Sequence, residues 1–522
     1  MSLTADRTSD APPHAPLVRT VGFRWLDMAG LLFALILLVR VAVATLMPLT
    51  EDEAYYRLWA QHLAFGYYDH PPMIAWWVRF GVTLFGDNPL GVRLASILSS
   101  ALTSLVVFDL ARRLGGASAS GVRAALWYNA TITVGLGALL AAPDAPASLF
   151  WALTLWCLAR SPQDDRWWLA AGAAAGFGVL SKYSALFLAP GALLWALSSR
   201  ERRAVLGRPW PWLGAGLAAL IASPNLLWNA QHHWLTFARQ FGRVVPPGFA
   251  PIHLLLLLVL QTLLFGPVLI FYVWRALAGR VIAGQTGESR MRESQARESG
   301  DGVALIVLTS LPFLAYLLLH SLHSQVEEHW PVPLFAGGAV LAALGADSRS
   351  GPRWLRLVPL VGLFAPLLVM AYVAAPTSPL KRDPAQPLEG WPAFSHRIVD
   401  IQAARGAGWV GTVSYGAVAQ FAAAPVHPAP IIQLDERERY QGWPVVGRFD
   451  QARPGLVVDL DRRLDATLLY RCFRKVEDIG VLGRGRAGAS QAVYRLFLVS
   501  DPRFDILNVG CPSRKKKPGQ AG

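Results

Sequence analysis

This chain is short of charge. Only 16% of its 522 residues are Asp, Glu, Lys or Arg, against about 25% in an ordinary soluble domain. That excludes an ordinary soluble globular protein. Acids are scarcer than bases, 34 against 48, which leaves a net charge of +14. Such a charge invites a nucleic-acid partner, but the arginines are spread over short loops between apolar runs. Orientation in a membrane accounts for them better, so no nucleic-acid partner is expected. Cysteine is nearly absent, with three in all. Cys157 sits inside an apolar run and reads as inert packing. Cys472 and Cys511 lie in a polar C-terminal part, where they either pair in a disulfide, if that part is outside the cytoplasm, or stay as thiols. A cleavable signal peptide is also missing. The first 25 residues are polar and mixed, and the first apolar run has no small-residue cleavage site, so it reads as a retained helix.

What is present is apolar length. Hydrophobic residues make up 53% of the chain and mean hydropathy is +0.36. A spanning helix needs about 20 apolar residues. Runs at 28–48, 92–111, 122–142, 145–159, 167–181, 183–198, 211–228, 252–274, 303–321, 331–346 and 354–375 predict a polytopic α-helical membrane protein. The count is about eleven spans. As one helix, residues 167–198 would be about 48 Å long at 1.5 Å per residue. Two short helices broken near Ser181-Lys182 fit better. With the N-terminus inside, twenty arginines fall in the inner segments against five or six basic residues outside. The polar stretch 283–301 is expected to be a flexible inner loop. Beyond about residue 376 the composition turns mixed, and runs at 408–415, 455–460 and 490–498 read as strands. The expected division is a membrane domain over 1–378 and a small α/β domain over 379–522. An odd number of spans puts the latter outside. Its tail, Lys515-Lys516-Lys517, then meets solvent or anionic headgroups.

The threading sorts chemistry onto one face. Three consecutive acids, Glu51, Asp52 and Glu53, stand near the start of the first outer loop, about 49–91, and Asp69-His70-Pro71-Pro72 follows within it. Helix punctuation explains part of this. Thr50 with Glu53 fits a capping box, and a Pro suits the first position of the next helix. Three acids at the mouth of a membrane helix exceed what a cap needs. Asp144 follows Pro143 at another outer helix start, where an N-cap is the plain alternative. Lys182 breaks a helix pair, and snorkelling is its plain alternative. Arg40 lies within the first apolar run, and an intramembrane charge is a functional candidate. His232, His233 and His329 collect on the same face. They are candidate ligands or ordinary interfacial histidines.

Taken together these motifs resemble a known family. Leu49-Thr50-Glu51-Asp52-Glu53-Ala54-Tyr55-Tyr56, followed by Tyr67-Tyr68-Asp69-His70-Pro71-Pro72-Met73, resembles the first outer loop of the C-type lipid-linked-sugar glycosyltransferases. These include the protein O-mannosyltransferases and the bacterial aminoarabinose transferases of lipid A. The likeness continues in order through Ala142-Pro143-Asp144-Ala145-Pro146, Leu180-Ser181-Lys182-Tyr183-Ser184, Trp228-Asn229-Ala230-Gln231-His232 and Val326-Glu327-Glu328-His329-Trp330-Pro331. It is loose in the C-terminal part, at Tyr440-Gln441-Gly442-Trp443. The resemblance implies a C-type fold with juxtamembrane helices on the outer face, in a bacterial inner membrane. It also implies a polyprenyl-phosphate sugar donor, and a lipid, glycan or protein acceptor. The family's catalytic base falls on Asp52, with Glu53 beside it, and its second acid falls on Asp144. The aminoarabinose branch has Glu-Lys-Pro-Pro where this chain has Asp69-His70-Pro71-Pro72. There the acid helps hold a divalent metal ion and the Lys sits near the donor phosphate. A shorter acid and a His stand here, a departure that touches both the metal site and the sugar. The metal candidates are Asp69, His70 and His329. The candidates for the donor phosphate are Lys182, His70, Arg93 and Arg40. A phosphate departs without a general acid once its charge is neutralised, whereas an acceptor hydroxyl or amine needs a base. One base and one displacement predict inversion. The rival reading is a transporter or flippase of lipid-linked glycans. Repeated halves with broken helices would mark it, and the sequence has no such repeat.

Overall fold

The computed structural model describes residues 18–242, 248–283, 290–347, 352–374, 386–440, 449–485 and 491–511. Helix α1 (Val18–Leu46) leads into two short helices, α2 (Glu51–Gln61) and α3 (Met73–Phe85), which lie before the long α4 (Pro89–Arg113). Asn88 caps α4 by accepting from the Gly91 N–H, and Pro89 opens it. Next come α5 (Ser118–Ala130), α6 (Ile132–Gly137), α7 (Asp144–Arg160), α8 (Trp167–Ser181) and α9 (Leu188–Leu197). After these, α10 (Arg200–Arg203), α11 (Pro209–Gln231), α12 (Leu235–Gly242), α13 (Ile252–Phe265) and α14 (Pro267–Ala283) follow. The helical part ends with α15 (Arg290–His320), α16 (Val332–Asp347) and α17 (Ala365–Ala374). Its core gathers Trp127, Trp151, Leu155, Phe313 and Val340 from four helices, α5, α7, α15 and α16. Small residues set the closest crossings. At Gly172 of α8, a Cβ would run into the backbone of Gly214 on α11, the close approach that glycine permits between membrane helices.

Among the described residues three helices are long and apolar enough to cross a membrane: Met28–Leu46, Pro89–Arg113 and Asp301–His320. The expected break near Ser181-Lys182 is present, with Lys182 in an extended conformation between α8 and a short 3-10 turn. Three expectations need correction. The run 252–274 is not one continuous helix but two helices bent by 97°. Gly266, at φ +112, permits the turn and Pro267 starts the next helix. The run 122–142 breaks at Thr131, which is extended (ψ 138) within a β-branched stretch. The expected loop 283–301 is helical from Arg290 onward.

The C-terminal part is α/β. Its elements are α18 (Trp391–Ala404), β1 (Trp409–Thr412), α19 (Tyr415–Ala423), β2 (Ile431–Gln433), β3 (Gly455–Leu460), α20 (Ala466–Cys472), β4 (Phe473–Arg484), β5 (Ala492–Pro502) and α21 (Ile506–Val509). The sheet order is β2-β1-β3-β5-β4. β1 runs parallel to both its neighbours, and β5 runs antiparallel to both of its own. Both faces of β3 are covered, with Leu456 and Val458 in one cluster and Val457 in the other. Strands β2 and β4 were not expected from sequence. Cys472 and Cys511 are paired in a disulfide, with Cα atoms 5.8 Å apart. The loose motif at Gln441–Trp443, the tail Lys515–Lys517 and the expected boundary at 378/379 lie outside the described residues.

The sheet domain docks on the loop after α1. Ala419 of α19 is buried in the same cluster as Tyr55, Trp59, Tyr67 and Ile74. The Tyr55 ring lies 5.0 Å from that of Tyr415 and 5.4 Å from that of Tyr440. Gln420 donates to the Leu49 carbonyl at 2.8 Å.

Candidate active site

The site starts from the first turn of α2. Thr50 and Glu53 form the expected capping box. Glu53 does much more than cap. Its Oε1 accepts from Arg93 Nε at 2.7 Å and the Ala141 N–H at 2.9 Å. Its Oε2 accepts from an Arg93 terminal nitrogen at 2.6 Å and the Thr50 N–H at 3.0 Å. Arg93 also donates to the carbonyls of Ala44, Met47 and Pro48. A guanidinium has five N–H donors and a carboxylate about four lone-pair sites. Both partners are therefore saturated, and both are buried. Arg93 has no donor left for a donor phosphate, and Glu53 has no lone pair left for a proton. Sequence spacing pointed to both as chemical groups; the structure uses them to tie α1, α2, α4 and the segment before α7 together.

Asp52, one residue earlier, faces the other way. Its side chain is exposed and lies at the meeting of two cavities. The smaller, about 240 Å³, is lined by Asp52, Tyr56, His70, Tyr128, Asp144 and His329, among others. Asp144 begins α7, and Lys182 Nζ stands 2.6 Å from its Oδ1. His329 Nε2 lies 3.8 Å from the other oxygen. Arg40 donates to Ser100, a wall residue of this cavity, at 3.0 Å. Arg40 is buried, and its Nε has no hydrogen-bond partner among the described residues. So the structure gathers Asp52, Asp144, His70 and His329 at one cavity, with Lys182 paired to Asp144 and Arg40 a layer behind.

Asp69 goes elsewhere. Its carboxylate meets Arg439 from the C-terminal domain, and Arg239 Nε stands 3.7 Å from its Oδ1. Gln240 donates to its carbonyl. Burial works against the Arg439 charge, but Asp69, Tyr55 and Glu436 more than offset it and raise its pKa. A carboxylate facing two guanidiniums is already neutralised. Among the described residues no group of three or more His, Cys, Asp or Glu could hold a metal ion. The set Asp69, His70 and His329 therefore does not fit one. His232 stacks on Trp228 with centroids 4.0 Å apart, outside both cavities.

The larger cavity is about 790 Å³ and lies between the helices and the sheet domain. Met47, Leu136, Leu139, Leu140 and Val369 give it apolar walls; Arg462, Arg463 and Tyr415 line it from the sheet domain.

The chain is similar to known proteins. Residues 69–228 match the family model described as dolichyl-phosphate-mannose-protein mannosyltransferase. The chain is 30% identical to the lipid A galacturonosyltransferase RgtD of Rhizobium johnstonii, over 56% of this chain and 59% of that one. It is 33% identical to an undecaprenyl phosphate-alpha-4-amino-4-deoxy-L-arabinose arabinosyl transferase of Pseudomonas fluorescens, over 30% of each chain. The crystal structure of ArnT from Cupriavidus metallidurans bound to undecaprenyl phosphate superposes with a TM-score of 0.58. That match has 15% identity and covers 90% of this chain and 98% of that one. Over these stretches the chain is similar to lipid-linked-sugar glycosyltransferases, and it shares their fold. It spans less than two thirds of the length of either curated relative.

The family model covers Asp69, His70, Arg93, Asp144 and Lys182 but begins after Asp52. Sequence reasoning missed the contribution of the sheet domain. Tyr415 donates from its hydroxyl to Asp52 Oδ1 at 2.7 Å. Burial and the Asp52 charge push the Tyr415 hydroxyl well above its ordinary pKa, so it stays protonated and donates. No local pattern around Tyr415 signals this, because its partner lies 363 residues away.

Proposed function

We propose that this chain is a bacterial inner-membrane enzyme. In this reading it moves a sugar from a polyprenyl phosphate to a lipid acceptor on the extracytoplasmic face. The observation that carries the reading is the pair of cavities meeting at Asp52. The smaller holds a second acid, Asp144, which is paired with Lys182, and the larger has apolar walls with basic residues on one side. Asp52 accepts the proton of the acceptor hydroxyl or amine. The acceptor atom then bonds to the anomeric carbon, and the bond from that carbon to the phosphate oxygen breaks. The electron pair leaves with polyprenyl phosphate. One displacement inverts the anomeric centre. Lys182, Arg40 and His70 supply the positive charge that the leaving phosphate needs. No metal step is drawn, because the residues around Asp69 are matched to guanidiniums.

An apolar-walled cavity favours a lipid over a free glycan as acceptor. The relatives' names, which specify lipid A and undecaprenyl phosphate, support the same pairing. The arginine asymmetry supports a cytoplasmic N-terminus and an extracytoplasmic sheet domain. The Cys472–Cys511 disulfide suits an oxidising compartment. An alkaline phosphatase fused at the C-terminus is expected to be active. Activity only from a cytoplasmic reporter there would overturn the orientation. The test of function uses purified protein in detergent with a total lipid extract of the source bacterium. Polyprenyl phosphate and a glycosylated lipid, seen by mass spectrometry, are expected to appear together. A transporter would release neither.

A further inference from the structure

We infer that the C-terminal domain completes the catalytic centre by holding the Asp52 carboxylate through Tyr415, an inference that rests on Asp52 being the base. Tyr415 is then a positioning residue. A base on the first turn of a helix, with its side chain exposed, is free to rotate about two torsions. It must present one lone pair to one proton. Among the described residues the Asp52 carboxylate makes one hydrogen bond, from Tyr415 to Oδ1. That bond fixes one oxygen and leaves Oδ2 for the acceptor.

The hydroxyl is itself aimed by four groups. The Tyr440 hydroxyl donates to the Tyr415 carbonyl at 2.7 Å. The Val413 and Ser414 N–H groups donate to Asp459 Oδ2 at 3.0 and 2.7 Å, which fixes the turn leading into α19. The guanidinium of Arg439 lies 4.3 Å from the centre of the Tyr415 ring, and Arg439 is anchored on Asp69. Gly416, next in the chain, lets α19 come right up to α2. A Cβ there would stand 2.6 Å from Glu51 Cβ, well inside contact distance. Simple interface packing needs an apolar ring at position 415; it does not need this hydroxyl. Asp69 thereby acquires a place in the site, through Arg439 and the ring it supports.

The test measures turnover with the full chain in detergent and dilutions of the same lipid extract, read as polyprenyl phosphate released. Tyr415→Phe keeps the ring and removes the hydroxyl. Turnover at saturation is expected to fall about 10- to 100-fold, the scale of a misaligned reacting group. The half-saturating dilution is expected to move by less than about twofold, because the hydroxyl acts on the base and not on substrate binding. Combined with Asp52→Asn, Tyr415→Phe is expected to add no further loss. Gly416→Ala keeps the hydroxyl but pushes α19 away, and is expected to lower turnover in the same way. Wild-type turnover in Tyr415→Phe would overturn the inference. A loss carried entirely by the half-saturating dilution would do so too. If Tyr415→Phe does not fold, Gly416→Ala decides on the same readings. Activity retained by Asp52→Asn would overturn the reading of the base itself. An inactive Asp52→Asn beside a fully active Tyr415→Phe would overturn only the role of Tyr415.

Discussion

Asp52 and Glu53 are neighbours in sequence and opposites in structure. Glu53 is buried, accepts four hydrogen bonds and faces a guanidinium whose donors are all engaged. Asp52 is exposed, accepts one hydrogen bond among the described residues and opens onto two cavities. The same helical turn therefore carries an acid that builds the fold and an acid with free lone pairs. The difference follows from helix geometry, because residues one apart point in directions about 100° apart. A saturated carboxylate stabilises by being complete; a base works only if it is incomplete. Asp144 lies between these extremes, since it holds one lysine and still faces the cavity.

The comparison breaks first at Asp52. Asp52→Asn keeps the size and leaves the Thr50–Glu53 cap of α2 intact, yet it cannot take a proton. Loss of a general base costs about 100- to 10,000-fold in turnover, while the thermal midpoint should barely move. Near-normal turnover with the lipid extract would remove Asp52 from the catalytic role and leave Asp144 to be tested. Glu53 should behave in the reverse way. Arg93→Met leaves a buried carboxylate unpaired and is expected to cost about 3–5 kcal/mol of stability. Arg93→Met combined with Glu53→Leu removes both charges and should recover part of that loss. A single variant as stable as wild type in detergent melting would show that the knot holds nothing together.

Much of this was legible in the sequence. Most apolar runs fell on helices, although α2 and α3 lie in what read as a loop, and the motifs at the ends of the runs located Asp52, Asp144 and Lys182. The role of Arg93 was hidden, since three of its acceptors are backbone carbonyls with no sequence signature. The bend at Gly266-Pro267 was readable from its Gly-Pro punctuation, but the surrounding leucines suggested one continuous span. Strand β4 was masked by charge. Residues Arg474, Lys475, Glu477 and Asp478 lie on a sheet edge, where such residues discourage pairing with another chain. Tyr415 was beyond reach, because only the docked sheet domain brings it to Asp52.

Lys182 sharpens the intermediate case. If it neutralises the departing phosphate as well as pairing with Asp144, then Lys182→Met should lower turnover by roughly a hundredfold, the effect of removing one charge-stabilising donor. Lys182→Arg should restore part of the activity. Full turnover in Lys182→Met would reduce the pair to a helix-end contact, a smaller version of Glu53 and Arg93.

The smallest effect belongs to Asp459, which holds the turn behind Tyr415. Burial lifts its carboxyl to about 6, against the pull of Arg463 and the N–H groups of Leu460, Ser414 and Val413. The folded value therefore lies above the unfolded one, which is about 3.9. The proton is held more tightly in the folded chain. Its contribution to stability is fully present below about pH 4 and is lost as pH rises through about 6. Between pH 5 and 7 the loss should be roughly 1 kcal/mol. Asp459→Asn carries no titrating group, so wild type should lose stability relative to this variant across that window. The reading is the difference in thermal midpoint of the two full chains in the same detergent at each pH. A difference that stays constant from pH 5 to 7 would show that the Asp459 proton is not coupled to folding. The turn that aims Tyr415 would then rest on hydrogen bonds that pH leaves unchanged.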